Sequence, residues 1–360
     1  MTTSEFVTTS DDADSARRRP VHRLRVCNVI RETADAISLV FDVPGAAENF
    51  RYEPGQFLTL KIPSTETGSV SRCYSLSSSP HADSLPAVTI KRTADGFASN
   101  WLCDNATAEM MIESLAPSGA FVPKTWDADF VLLAAGSGIT PMMSIIKSAL
   151  AEHANTITLV YANRTTESVI FADQLADLGR RYPDRLTVHH WLESQSGLPT
   201  PQGLKPWLHG LSDNVAYLCG PAPFMQIGEE SLLAAGMPGE RVHREVFRSL
   251  ATNPFEVTRK SPLMPAAAGS AASAAVELEG ENHTVAWPRE TVLLDALLDR
   301  GIDAPYVCRE GSCGGCAYTL LRGEVRMLLN DTLDDHELAR GVRLACQSLP
   351  VSDDVDVVFE

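Results

Sequence analysis

Four of the eight cysteines in this 360-residue sequence stand at Cys308, Cys313, Cys316 and Cys346. The spacing is Cys-x4-Cys-x2-Cys, then 29 residues to the fourth thiol. Four thiolates can share two irons, and one loop carrying three of them is the spacing of a plant-type [2Fe–2S] centre. Gly311, Gly314 and Gly315 keep the loop poor in side chains, so backbone N–H groups can turn toward sulfur. Such hydrogen bonds favour the added electron and raise the potential. A structural zinc site usually presents two short ligand pairs, and Cys346 has no neighbouring Cys or His to make the second. The remaining thiols, Cys27, Cys73, Cys103 and Cys219, are scattered singly.

A second set of residues suits a dinucleotide. Gly136-Ser137-Gly138-Ile139-Thr140-Pro141 follows the apolar run Phe130 to Ala135 and opens a helical pattern that lasts to about His153. Gly136 and Gly138 let the backbone approach a pyrophosphate, and Thr140 and Pro141 lie in the first helical turn. Cys219-Gly220-Pro221 ends another apolar run, Val215 to Cys219, although a buried strand-end Cys is also ordinary packing. Asn163-Arg164 follows the second apolar run, where the adenosine ribose should lie. An Arg there grips a 2′-phosphate or stacks on adenine. Glu167 nearby leaves no basic cluster, so NADH is expected ahead of NADPH.

These residues need three kinds of domain to position them. Residues 1–20 read as a disordered tail with no apolar stretch for a signal peptide. Residues 21–124 hold short alternating runs, among them His22 to Val26, Ala36 to Phe41 and Gln56 to Ile62, which predict an antiparallel β-barrel. Residues 125–250 alternate apolar strands with helices, one near Ser168 to Arg180. They predict an α/β doubly wound parallel sheet, with further strands at Leu186 to Trp191 and Val215 to Cys219. Residues 251–275 are rich in Pro, Ala, Ser and Gly and read as a linker. Residues 276–360 predict a compact α+β unit with one helix near Thr291 to Arg300 and the cysteine loop.

Arg72-Cys73-Tyr74-Ser75 resembles the R-x-Y-S motif of the ferredoxin–NADP reductase superfamily. The resemblance implies FAD, with Arg72 on a phosphate, Tyr74 against the isoalloxazine and the Ser75 hydroxyl near its reactive nitrogen. The side-chain chemistry agrees: a guanidinium fork, a flat aromatic face and a hydroxyl donor. Cys73 should point to the opposite strand face from all three and pack. Val88, Thr89, Ile90 and Lys91 are implied to hold the flavin edge through their backbone. Gly96-Phe97-Ala98-Ser99 is similar to the superfamily's turn that seats a pyrophosphate at a helix N-terminus. Pro117 to Phe121 matches the turn that ends the barrel. In the same family the Cys of C-G-P lies beside the nicotinamide carbon that gives up hydride, which brings Cys219, Gly220 and Pro221 into the site. Glu245-Val246-Phe247 resembles the family's E-x-F ending. Phe247 would then cover the flavin ring or its adenine side. Glu245 would assist proton traffic or be an ordinary surface carboxylate.

Beyond residue 20 nearly the whole chain resembles reductase components of multicomponent bacterial oxygenases, in the order barrel, nucleotide domain, linker, ferredoxin. Tyr52 to Leu60, Val88 to Cys103 and Ala134 to Pro141 are similar to reductase components of 3-ketosteroid 9α-hydroxylases. The reductase of phenylacetyl-CoA epoxidase shares every cofactor motif. The resemblance implies a relay from NADH through FAD and [2Fe–2S] to a Rieske-type oxygenase, in steroid degradation, with no steroid pocket in this chain. A non-catalytic electron-transfer or redox-sensing module is the reading from a different class. The intact hydride site favours the catalytic one.

Composition agrees. The net charge of −16 makes nucleic acid and anionic membranes poor partners. No apolar run reaches the ~18 residues needed to span a bilayer, and a cytoplasmic protein is expected. From Ala275 onward 17 acidic residues face 7 basic ones, a net of −10. That excess suits docking on a basic patch of the oxygenase, or simply keeps a small domain soluble.

Overall fold

The computed structural model describes residues 21–44, 50–250, 253–255, 271–278, 280–333 and 335–359. The expected tail and residues 256–270 of the expected linker lie outside them. The amino-terminal unit is a six-stranded antiparallel sheet in the order β4-β3-β6-β1-β2-β5. β1 (His22–Thr33) pairs with β2 (Ala36–Asp42), and β3 (Phe57–Ser64) pairs with β4 (Gly68–Ser75). β5 (Ala87–Lys91) extends one edge, and β6 (Met111–Ser114) joins the two hairpins. Leu24 and Val26, Leu39 and Phe41, and Leu58, Leu60 and Ile62 recur every second residue and fill one core. α1 (Phe97–Asn105) adds Ala98 and Leu102 to it. A bridge from Leu76 to Val88 brings the two outer strands together at the end of β4.

The middle unit is a five-stranded parallel sheet in the order β11-β10-β7-β8-β9. Its strands are β7 (Phe130–Ala135), β8 (Ile157–Asn163), β9 (Leu186–Leu192), β10 (Val215–Cys219) and β11 (Val242–Glu245). Its helices are α2 (Ile139–Glu152), α3 (Ala172–Arg181), the single turn α4 (Glu193–Ser196), α5 (Pro201–Leu208) and α6 (Ala222–Ala234). Phe130, Leu132 and Ala134 face α2 and α3, while Val131 and Leu133 face α5 and α6. Both faces are therefore covered, which explains the unbroken apolar strands. The helix expected from Ser168 begins at Ala172 instead. Thr166–Ser168 is a short 3-10 turn, and Phe171 sits at φ 63°, where a right-handed helix cannot run through.

The carboxy-terminal unit is a mixed sheet in the order β13-β12-β18-β14-β16 with a two-stranded ribbon, β15-β17. Its strands are β12 (Ala271–Leu278), β13 (Glu281–Pro288), β14 (Ala317–Arg322), β15 (Val325–Met327), β16 (Val342–Leu344), β17 (Ser348–Pro350) and β18 (Asp354–Phe359). β12 starts inside the stretch expected to be linker up to residue 275. Ala272, Ala274 and Val276 alternate inward there, but alanine and serine give the period too little contrast to read. The sequence predicts one helix in this unit, and among the described residues there are two: α7 (Leu293–Leu298) and α8 (Asp335–Ala339). α8 buries no residue, so it carries no apolar period.

A small apolar cluster joins the first and third units. It holds Phe57, Leu115, Leu250, Val307, Cys308 and Cys313, with Cys73 and Phe255 packed against it. Asn253 ties the connecting chain to β4, accepting from Ser71 Oγ (2.5 Å) and donating to Ser69 Oγ (2.9 Å).

Two glycines make opposite predictions. A Cβ on Gly138 would lie 2.0 Å from the Cys219 carbonyl oxygen, whereas one on Gly179 in α3 meets nothing within 4 Å. Gly138→Ala should destabilise the middle unit by at least about 2 kcal/mol through overpacking. Gly179→Ala should stabilise it by about 0.5–1 kcal/mol by removing helix entropy cost. Thermal unfolding of the two variants checks both signs.

Candidate redox site

The cysteine loop between α7 and β14 carries Cys308, Cys313 and Cys316, Cys346 follows β16, and all four expected ligands are buried. Their thiols contact one another in the succession Cys313, Cys308, Cys346, Cys316. Neighbouring pairs of thiols fit two irons better than one tetrahedral zinc. Backbone amides point at sulfur: Glu310 N to Cys308 (3.3 Å), Cys308 N and Gly315 N to Cys313 (both 3.4 Å), and Cys346 N to Cys316 (3.5 Å). Hydrogen bonds from Cys313 and Cys346, helped by the Glu310 and Ser312 amides, hold the Cys308 thiol well below the ordinary thiol range. The donor set and its amide cradle fit the expected cluster.

Glycine sets how close this loop comes to the first unit. Gly314 has φ 69°, and a Cβ on it would lie 2.8 Å from the Ala120 Cβ. One on Gly315 would lie 2.6 Å from Ser118 Oγ. Ser118 in turn bridges to Phe57 at the start of β3. The Pro117 to Phe121 turn thus forms the floor on which the cysteine loop rests.

Arg72, Tyr74 and Ser75 stand at the end of β4, opposite Leu60, Leu58 and Phe57. Arg72 is half-buried, with Nη1 donating to Ser71 O (2.7 Å), and Ser75 is buried. The expectation for Cys73 is corrected in part. Cys73 and Ser75 line the same small cavity, together with Phe57, Glu245, Phe247, Leu250, Ser312 and Cys313. Residues two apart share a strand face, so Cys73 opposes Arg72 and Tyr74 but accompanies Ser75. Its packing is against the cysteine loop, and burial pushes its thiol up to about 12. Val88, Thr89 and Ile90 are buried in β5. Gly96 is the N-cap of α1, with Phe97 exposed and Ala98 and Ser99 buried; Ser99 Oγ accepts from Thr93 N (3.2 Å).

The dinucleotide motifs meet at the carboxyl ends of the interior strands of the parallel sheet. Chain order reverses between β7 and β10, so Ala134 and Cys219 are paired neighbours at their carboxyl ends. An open α/β sheet binds ligands in the crevice at such a point. Gly136 has φ 55°, Gly138 begins α2, and Thr140 Oγ1 donates to Ser137 O (3.0 Å). A Cβ on Gly220 would meet Ala135 Cβ at 2.9 Å, so both turns need glycine to close together. Pro221 is the N-cap of α6. Asn163 is buried at the end of β8, and neither polar atom of its amide meets hydrogen-bond geometry with any described residue. The Tyr161 hydroxyl lies close to this amide, and the hydrogen-bonding capacity left over beside the glycine turn fits a polar ligand there.

Glu245 is not an ordinary surface carboxylate. It pairs with Cys219 across β10 and β11 and lines the cavity shared with Ser75 and Cys313. Burial pushes its carboxyl from 4.5 up to about 8. Burial, with the Glu245 charge beside it, also raises Cys219, so that thiol is neutral. Phe247 is 48% exposed and borders the same cavity.

Sequence reasoning missed the residues that join the units. Phe57, Leu115, Leu250 and Val307 read as ordinary core positions, and only tertiary packing brings them against the thiols. The sequence assigns Lys91 a role through its backbone alone. Its ammonium stands 3.7 Å from where a Cβ on Gly136 would be, and 3.8 Å from Asp35 Oδ2.

Comparison with known proteins places this arrangement. Three families match in chain order: the oxidoreductase FAD-binding domain at residues 23–122, the oxidoreductase NAD-binding domain at 132–230, and the 2Fe-2S iron-sulfur cluster binding domain at 276–351. The chain is 54% identical over 347 residues to the ferredoxin reductase component of 3-ketosteroid-9-alpha-monooxygenase from Mycolicibacterium smegmatis, covering 94% of this chain and 97% of that one. It is 35% identical to one component of the 1,2-phenylacetyl-CoA epoxidase of Escherichia coli, covering 94% and 98%. Among solved structures it is similar to phthalate dioxygenase reductase, with TM-score 0.58 and 24% identity, covering 98% of this chain and all of that one. That protein is described as a modular structure for electron transfer from pyridine nucleotides to [2Fe–2S].

Two outcomes test the site. Cys313→Ser should abolish the visible absorption of the cluster and leave FAD bound, as read by the separate flavin spectrum. The raised Glu245 pKa means that native stability falls as pH rises from about 4.5 to about 8. Glu245→Gln removes that loss. Its melting temperature should exceed the wild type's by a margin that grows up to about pH 8 and then levels.

Proposed function

We propose a function that starts from family membership: the chain belongs to the ferredoxin reductase components of 3-ketosteroid-9-alpha-monooxygenases. It is an oxidoreductase with FAD, NAD and [2Fe–2S] domains that passes electrons from NADH through FAD and the cluster to an oxygenase component. The observation that carries this reading is the single cavity lined both by Ser75, Glu245 and Phe247 and by Ser312 and Cys313 of the cysteine loop. Hydride and single-electron chemistry have to meet at such a place.

Bound FAD supplies the exchange between a two-electron hydride and single electrons. The protein's residues supply the rest. Arg72 would hold a flavin phosphate, Tyr74 would pack on the ring, and Ser75 would offer its hydroxyl at the cavity wall. The backbone of Val88 to Lys91 would hold the flavin edge, and Gly96 to Ser99 the pyrophosphate at the start of α1. Gly136, Gly138, Thr140, Pro141, Asn163, Arg164, Gly220 and Pro221 would hold the pyridine dinucleotide. Cys219, neutral and buried, would set the nicotinamide ring without competing as a nucleophile. Glu245, titrating near 8, can hold or release a proton close to neutral pH. Phe57, Leu115 and Leu250 exclude water from the passage to Cys308 and Cys313.

The finer partner is a Rieske-type oxygenase that hydroxylates a 3-ketosteroid, docked on the acidic carboxy-terminal domain. The net charge of −10 from Ala275 onward supports a basic docking patch on that partner. Exposed Leu328 and Leu329 supply an apolar contact beside the cluster, since Leu328 N donates to Gln347 O (2.9 Å) and Asp331 N to Gly311 O (3.0 Å). A reducing, cytoplasmic setting fits eight free cysteines. No described helix is long and apolar enough to cross a membrane.

The test combines this protein, NADH and a purified Rieske oxygenase of the 3-ketosteroid class. Hydroxylated steroid should form in step with NADH consumed, and the coupled rate should fall severalfold between 50 and 500 mM salt, as ~10 Å screening shortens the steering field. Dye reduction by NADH without steroid product, while another donor drives the same oxygenase, keeps the reductase and removes the steroid partner.

A further inference from the structure

Asp35 lies in the turn between β1 and β2, in the first unit, yet its carboxylate serves the second. Oδ1 accepts from Thr33 Oγ1 (2.8 Å), and Oδ2 faces both Arg164 Nη2 (3.2 Å) and Lys91 Nζ (3.8 Å). Arg164 follows β8, the strand whose carboxyl end receives the adenosine ribose in a doubly wound sheet. An Arg at that position is the usual ligand of the 2′-phosphate that distinguishes NADPH from NADH. Here its guanidinium is already engaged by a carboxylate that the neighbouring domain delivers. Lys91, near Gly136 and facing the same carboxylate oxygen, is much less exposed than Arg164, at 17% against 69% of the side chain.

We propose that Asp35 sets coenzyme selectivity across the domain boundary by holding Arg164 away from a 2′-phosphate. The proposal rests on the NADH-dependent reductase reading above and adds the residue that enforces it. Asp35 acts through Arg164, as a positioning and selectivity residue, and takes no part in hydride transfer. Its main chain is used elsewhere, since Arg92 N donates to Asp35 O (2.7 Å), so a side-chain change leaves that bond in place.

The experiment measures binding of ADP-ribose and 2′-phospho-ADP-ribose to the FAD- and cluster-loaded protein by calorimetry, alongside flavin bleaching by NADH and NADPH. Asp35→Asn should improve affinity for the 2′-phosphorylated probe relative to ADP-ribose by at least about tenfold, the scale of one charge-assisted hydrogen bond. Adding Arg164→Ala should erase that gain. Arg164→Ala alone should leave the wild-type discrimination within about twofold. An unchanged ratio in Asp35→Asn, a gain that survives loss of Arg164, or a further tenfold loss in Arg164→Ala alone would each overturn the proposal. Bleaching by NADH in the wild type tests the underlying reductase reading separately. Absence of bleaching would sink that reading whatever the binding ratios are.

Discussion

The structure depends on one contact: the cysteine loop of the third unit pressed against the strand ends of the first. An electron can tunnel only over short distances, so the two redox groups have to be held close together in a dry place. Val307, Cys308 and Cys313 bury against Phe57, Leu115 and Leu250, and Cys73 fills the space between β4 and the thiols. The approach is limited by backbone, because Gly314 and Gly315 leave no room for a Cβ against Ala120 and Ser118. Arg248 pairs with Asp331 (2.5 Å) at the rim, and Asn253 anchors the connecting chain to β4. These polar contacts orient the third unit; the apolar cluster removes water from between the centres.

A second close approach serves the hydride side. Gly138 and Gly220 let the turns after β7 and β10 touch, which puts Cys219 at the crevice where the strand order reverses. Glu245 arrives on the adjacent strand, in register with Cys219, and also reaches the cavity shared with the cysteine loop. One carboxyl therefore borders both halves of the electron path. Its raised pKa follows from that partial enclosure, which weakens the hydration of its charge. The same enclosure keeps Cys219 a neutral thiol, suited to contact and unsuited to attack.

Charge divides the surface by task. The carboxy-terminal domain carries most of the negative excess, and its exposed Leu328 and Leu329 adjoin the loop on a side the first unit leaves open. Where the parallel sheet meets the first unit, three cations have carboxylate partners. Lys91 and Arg164 share Asp35, and Lys147 pairs with Asp83 (2.5 Å) where the first two units meet. A dinucleotide would enter a region of balanced charge, and individual ion pairs there decide which phosphate is welcome.

How much of this was legible follows from the range over which each signal acts. Cysteine spacing, the Arg72 to Ser75 motif, the glycine turn after β7 and the apolar strands are local, and each pattern names its own chemistry or fold element. Weak local contrast hid others: β12 alternates alanine with serine, α8 buries nothing, and Phe171 breaks a helix by a backbone angle that its side chain does not announce. The sequence by itself determined the order of three domains, and it pointed to the four cysteines and to the motifs of the two nucleotide sites. Only the tertiary structure decided that Cys73 lies with Ser75 against the thiols, that Glu245 is half-buried in the same cavity, and that Asp35 of one unit pairs with Arg164 of another. Burial and long-range ion pairing are properties of what surrounds a residue, and residues 129 positions apart carry no mark of meeting until the chain has folded.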